Sequence, residues 1–130
     1  MSSPQMNTDK HRLNEITFQV NGCAMDVLNE VGHGFHEKVY ENALALSFEK
    51  RGLKFSQQKQ FDVMFQGQSV GTFVPNFVVE DKVILELKTI DRIGKQETGQ
   101  VLNYLRASGL QLGLILNFKN AKLGWQRVAL

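Results

Sequence analysis

Between Asn76 and Lys88 the chain runs Asn-Phe-Val-Val-Glu-Asp-Lys-Val-Ile-Leu-Glu-Leu-Lys, two apolar stretches separated by the charged triplet Glu80-Asp81-Lys82. Strands joined by so short a connection fold back on one another. Because side chains alternate across a strand, the loop length decides which residues share a face. With a three-residue loop, Val79 pairs with Val83 and Asn76 lies opposite Glu86. Phe73, Pro75, Phe77, Val79, Val83, Leu85 and Leu87 then form one apolar face, and Asn76, Glu86 and Lys88 share the other. A two-residue loop would set Asn76 beside Leu87 and bury its amide among hydrophobic groups. The three-residue loop is therefore predicted, and it gathers a polar cluster at one end of an apolar hairpin.

Around this hairpin the periodicity changes twice. Leu13, Ile16, Val20, Cys23/Ala24, Val27 and Val31 recur at three- and four-residue steps, the stripe of an amphipathic helix. Gly32-His33-Gly34 stops it, and a second helix is expected from about Glu37 to Arg51, ended by Gly52. Phe55 to Phe65 and Ser69 to Val79 read as strands flanking a tight turn at Gln66-Gly67. A third helix is expected over about Lys95 to Ser108, then strands at Leu112 to Phe118 and Leu123 to Val128. The order is helix, helix, three-stranded meander, helix, two strands. Residues 1–8 are polar and expected to be disordered or frayed, leaving one domain over residues 9–130.

Composition narrows the classes. A net charge of +2 permits a nucleic-acid partner without arguing for one. No apolar run approaches the ~20 residues that cross a bilayer, so no membrane partner is expected. The start Met1-Ser2-Ser3-Pro4-Gln5 lacks the apolar core of a signal peptide. Cys23, the single cysteine, lies among Val20, Ala24 and Val27 and reads as a buried thiol. A reducing cytoplasm is the expected compartment.

The chemistry lies in Glu86-Leu87-Lys88. A carboxylate able to hold a divalent cation, beside an ammonium able to orient water or phosphate, is the core of a metal-dependent phosphodiesterase site. Glu-x-Lys alone is more often a solvated polar face, so its neighbours matter. Glu37, Tyr40 and Glu41 sit at i, i+3 and i+4 near the start of the second helix, close together on its surface. Gln100 and Tyr104 lie one turn apart on the third, beside an apolar stripe. Glu37 also reads as an N-terminal acid complementing the helix dipole, and Tyr40 as a core aromatic with its hydroxyl bonded. His11, His33 and His36 lack the four-residue spacing of a zinc helix, and Gly32-His33-Gly34 lacks the context of a phosphate loop. Lys50-Arg51, Lys54 and Lys59 read either as a phosphate-contacting edge or as scattered surface charge.

Gly34-Phe35-His36-Glu37-Lys38-Val39-Tyr40 resembles the Gly-x-x-Glu-x-x-Tyr signature of the GxxExxY proteins. The likeness continues through Glu86-Leu87-Lys88, Gln100-Val101-Leu102-Asn103-Tyr104-Leu105 and Gly113-Leu114-Ile115-Leu116-Asn117-Phe118, in matching order over roughly residues 10–130. That family is similar to a minimal PD-(D/E)XK nuclease. The resemblance implies an α/β, restriction-endonuclease-like αβββαβ core, its mixed central sheet flanked by helices. It further implies a site for Mg²⁺ or Mn²⁺ and a DNA or RNA substrate. Carried over by residue, Glu86 and Glu37 would be metal ligands, Lys88 would position or activate water, and Gln100 would approach from the following helix. Pro75-Asn76 falls where the superfamily places Pro-Asp, so Asn76 would offer a neutral oxygen in place of a carboxylate and attenuate the site. The alternatives are an inactive nucleic-acid-binding module of the same fold, or a homodimeric interaction domain using the surface near Trp125.

Overall fold

A computed structural model of the chain describes residues 4–130, with side chains from residue 9. Helix α1 (Pro4–Val31) turns the sequence stripe inward: Ile16, Val20, Cys23, Ala24 and Val27 are buried. Of the segment expected to be frayed, residues 1–3 lie outside the described residues, and the helix begins at Pro4. Helix α2 (Glu37–Arg51) follows the Gly32–His36 turn and ends at Gly52 in the left-handed region (φ 73°), where the missing Cβ removes the usual penalty.

Five strands, β1 (Phe55–Gln57), β4 (Phe77–Val79), β5 (Val83–Lys88), β6 (Leu112–Asn117) and β7 (Gly124–Ala129), form one sheet in the order β1-β4-β5-β6-β7. Only β5 and β6 run parallel, joined across helix α3 (Lys95–Ser108), so the sheet is mixed. β2 (Phe61–Phe65) and β3 (Gln68–Phe73) form a separate two-stranded ribbon. Its turn lies at Gln66-Gly67, where both φ angles are positive.

The single meander of the sequence reading is therefore split. Gln58 takes φ 60° and turns the chain out of β1, while Pro75, with no N–H for a ladder, separates β3 from β4. Phe73 leaves the face assigned to it and stacks instead between Phe61 on the ribbon and Tyr104 on α3.

The sheet buries both faces. Phe77, Val79, Val83, Leu85 and Leu87 pack with Leu112, Leu114 and Leu116 against α1 and α2. Ile84, Ile115 and Val128 face Val101 and Leu105 of α3. Glu86 and Lys88 share a strand face with Ile84, which places them on the α3 side. Of the basic residues Lys50, Arg51, Lys54 and Lys59, Arg51 bonds Asp26 and Lys54 pairs with Asp81. Among the described residues no helix is long and apolar enough to cross a membrane.

One glycine sets how near α3 lies to the sheet. A Cβ at Gly113 would fall 2.3 Å from Val101 Cγ1, so β6 and α3 touch through a position that must lack a side chain. Gly113→Ala is expected to destabilise the protein by about 1–3 kcal/mol. Urea unfolding should show a lower midpoint with an unchanged slope; an unchanged midpoint would show that the helix shifts freely.

Candidate active site

The site is assembled by the β4–β5 turn. Glu80 and Asp81 take φ 54° and 56°, the paired positive angles of a type I′ turn, and Lys82 N–H donates to Val79 O at 3.0 Å. Such angles are unusual for side-chain-bearing residues, and outside contacts hold them. Glu80 accepts the Lys54 N–H at 2.8 Å and pairs with Arg12, while Lys54 Nζ lies 3.0 Å from Asp81. The register is the one that the hydrophobic pattern demands, with Val79 opposite Val83 and Phe77 opposite Leu85. Asn76 therefore stands across from Glu86.

Asn76 is bonded on three sides. Its backbone N–H donates to Glu86 Oε1 at 3.1 Å, its Oδ1 accepts the Leu87 N–H at 2.9 Å, and its Nδ2 donates to Glu41 Oε1 at 2.7 Å. The Leu87 N–H fixes which way the amide points, so NH2 and not oxygen faces Glu41. Glu41 is 3% exposed and also accepts from Gln57 at 2.6 Å, Gln58 at 3.1 Å and Lys38 at 2.9 Å. Burial alone would raise its pKa, but the bonds from Asn76, Gln57 and Lys38 outweigh burial and hold the carboxyl below its ordinary value.

Glu86 is driven the other way. It is 7% exposed at the end of a central strand, and burial pushes its pKa up to about 7. The Asn76 N–H and the Lys88 charge oppose that rise, whereas the charges of Glu37 and Glu41 add to it. Lys88 is half-buried, and its Nζ donates to Gln100 Oε1 at 3.2 Å, tying the strand to α3. The Tyr104 hydroxyl, one turn beyond Gln100, is raised by burial and by the charge on Glu86.

The expected residues are thus gathered unevenly. Asn76 and Glu86 are in contact, and Lys88 meets Gln100. Glu37 is exposed on the first turn of α2; no hydrogen bond joins it to Asn76 or Glu86, and it acts on Glu86 through its charge. Glu41, one turn further along α2, makes the direct contact that Glu37 does not. Tyr40 is a core aromatic: it stacks on Phe118 at 4.4 Å, donates to Gly32 O at 2.8 Å and accepts the Phe35 N–H at 3.1 Å. Those two bonds close the Gly32–His36 turn and so set where α2 begins. His36 is the N-cap residue of α2 with no side-chain cap bond, and His33 Nδ1 lies 3.1 Å from Lys119 O.

Three further residues had no role assigned from the sequence. Gln57 and Gln58 reach Glu41 only because the chain turns out of β1 there. Asn117, 4% exposed, brackets Ile90 by donating to its carbonyl at 2.8 Å and accepting its N–H at 3.1 Å. It thereby anchors the segment that leaves β5 just after Lys88.

A sequence model of the PD-(D/E)XK nuclease superfamily matches residues 14–128. The chain belongs to that superfamily. No curated protein matches it. Among solved structures it is similar to an alkaline exonuclease from Laribacter hongkongensis, with a TM-score of 0.54 at 13% identity over 71% of this chain and 55% of that one. It is also similar to the protein SSO0001, with a TM-score of 0.53 at 11% identity over 71% of this chain and 48% of the other. The chain thus spans about half the length of these neighbours, and at such identities they establish the restriction-endonuclease-like fold alone.

This PD-(D/E)XK chain has a donor set for a divalent ion that is short of the usual one. Both Glu41 oxygens accept protein donors, and the Asn76 oxygen is turned to the Leu87 N–H. Among the described residues no three His, Cys, Asp or Glu side chains converge closely enough to hold a metal. Glu86, bonded through Oε1, and exposed Glu37 remain as hard anionic donors. Two carboxylates suit Mg²⁺ when substrate phosphate completes the shell.

The raised pKa of Glu86 has a measurable sign. The folded state holds this proton up to about pH 7, whereas an unfolded glutamate releases it near pH 4.3. Its contribution to stability is therefore full below about pH 4 and is lost as pH rises to about 7, a loss of at most about 4 kcal/mol. Glu86→Gln should be more stable than the parent at pH 8, with the difference closing towards pH 5. Parallel thermal-unfolding curves for the two proteins from pH 5 to 8 would contradict the assignment.

Proposed function

We propose that the protein hydrolyses phosphodiester bonds of DNA or RNA with a divalent ion, Mg²⁺ or Mn²⁺, at a site built from Glu86, Lys88, Glu37 and Gln100. The observation that carries this reading is the pairing, on one strand end of a PD-(D/E)XK chain, of a desolvated carboxylate with a lysine held by Gln100. Glu86 and Glu37 would hold the ion. When bound, such an ion supplies Lewis-acid activation of water and of the phosphoryl oxygens. Lys88 orients the attacking water or offsets charge developing on the phosphate, and Gln100 aims its ammonium group. Within the superfamily, Gly34, Glu37 and Tyr40 support a place among the GxxExxY proteins. The buried free thiol of Cys23 suits a reducing cytoplasm.

Asn76 attenuates the activity and organises the site. Its NH2 faces Glu41, where an aspartate would set a second negative oxygen. Replacing it with aspartate removes the donor and sets two carboxyls together, which a cation or a shared proton reconciles. That same contact favours a second reading, a nucleic-acid-binding module without turnover.

With a labelled oligonucleotide and Mn²⁺, Glu86→Ala and Lys88→Ala are each expected to slow cleavage about 10²–10³-fold. Salt-sensitive binding with no cleavage by the parent protein would select the binding module instead. Asn76→Asp should bind Mn²⁺ more tightly in calorimetry and cleave faster. Without metal it should melt below the parent, and saturating Mn²⁺ should raise its Tm more than the parent's. Equal metal titrations for the two proteins would sink the role given to Asn76.

A further inference from the structure

Two hollows lie end to end along the exposed flank of α3. The first, about 500 Å³, is lined by Lys88, Lys95, Gln100 and Tyr104 among others. The second, about 530 Å³, is lined by Val63, Met64, Phe73, Tyr104 and Arg106. They share Asn103 and Tyr104, so they adjoin at that turn of α3. The β2–β3 ribbon forms the far wall. Its attachment to α3 includes an aromatic row: Phe61 stacks on Phe73 at 5.1 Å, and Phe73 on Tyr104 at 4.3 Å with rings only 9° from parallel.

We propose that this trough is the path of a single-stranded nucleic acid, which runs between ribbon and α3 and delivers its phosphodiester to Lys88 and Glu86. The proposal rests on the nuclease reading for what happens at that end, and it names the form of the substrate. Charge complementarity supports it. Lys88, Lys95 and Arg106 line the trough against one acid, Glu97, whose carboxylate is bonded to the Gly94 N–H. Asp62 on β2 lies outside both linings and is bonded by Ser69.

The wall chemistry selects the strand form. A duplex shows sugar and phosphate on its outside and hides its base faces, so Met64, Val63 and the Phe73 edge would be desolvated against charge with no gain. A single strand exposes flat apolar bases together with phosphates. It matches a trough with apolar and aromatic groups on the ribbon side and cations on the α3 side. Met64 is 56% exposed although the ribbon has a partner helix beside it, which leaves an apolar surface facing the trough for a base to cover. Single-stranded DNA and RNA share this chemistry.

The test is fluorescence anisotropy of the full chain in EDTA with a fluorescein-labelled 12-nucleotide strand as DNA, as RNA of the same sequence, and as the blunt DNA duplex. At least one single strand should bind about tenfold or more tighter than the duplex. Met64→Ala should weaken strand binding about fivefold or more. Arg106→Ala should weaken it and reduce the slope of log affinity against log salt by about 0.7. Both side chains are exposed, so a circular dichroism spectrum matching the parent's confirms that these effects are not unfolding. Duplex binding equal to or tighter than both strands overturns the proposal, as does single-strand affinity within twofold of the parent in both variants. Mn²⁺-dependent cleavage is scored separately: duplex cleavage without strand preference defeats this path and leaves the nuclease reading intact. Strand binding without cleavage keeps the path and defeats the nuclease reading.

Discussion

Strand β5 is covered on both faces, by α1 and α2 on one side and by α3 on the other; β6 pairs along its whole length, and β4 along Val83–Leu85. A strand in that position excludes water along nearly its whole length, and Glu86 sits within it. Ionising a carboxyl there requires either compensating donors or a cation, because the surroundings do not solvate it. The protein supplies one backbone N–H from Asn76 and the charge of Lys88, and the carboxyl still titrates near neutrality. The polar end of this sheet is thus built around a group that the fold itself destabilises in its charged form, as strained functional sites often are.

Two acids within one site are driven apart by their surroundings. Glu41 collects donors from α2, β1 and the segment before β4, and is held ionised. Glu86 has few donors and is held near its midpoint at neutral pH. Asn76 touches both: its backbone N–H serves Glu86, as any residue but proline would, and its NH2, which an aspartate would lack, serves Glu41. The amide of Asn76 is therefore tied into a local network of side-chain and backbone bonds. Tyr40 and Asn117 act on the backbone around this cluster: the first closes the turn that starts α2, and the second, opposite Lys88 on β6, pins the chain after β5.

Local rules carried the sequence reading a long way. The apolar stripe of α1, the glycine stop at Gly52 and the β4–β5 register follow from periodicities and turn geometry that act within a few residues. Glu86 and Lys88 could be placed together because they lie one residue apart on a strand, and Asn76 because burying its amide was the only other choice. Gln100 was legible as a polar residue beside an apolar stripe, which points it at the edge of the helix–sheet contact.

What the sequence could not decide was which parts of different elements meet. Glu37 and Glu41 lie one turn apart on the same helix, and only the packing angle of α2 on the sheet, set by Tyr40 and Phe118, makes Glu41 the one that touches Asn76. Gln57 and Gln58 enter the network because the chain leaves the sheet at Gln58, a departure fixed by pairing β1 with β4 while β2 and β3 pair with each other. The same split moved Phe73 from the sheet to the aromatic row against Tyr104. Periodicity and turn length thus determined by themselves the helices, the hairpin register and the Glu86–Lys88 pair, because each of these is local. The acid beside Asn76, the detached ribbon and the trough along α3 were settled only in three dimensions, because each depends on contacts between residues far apart in the chain.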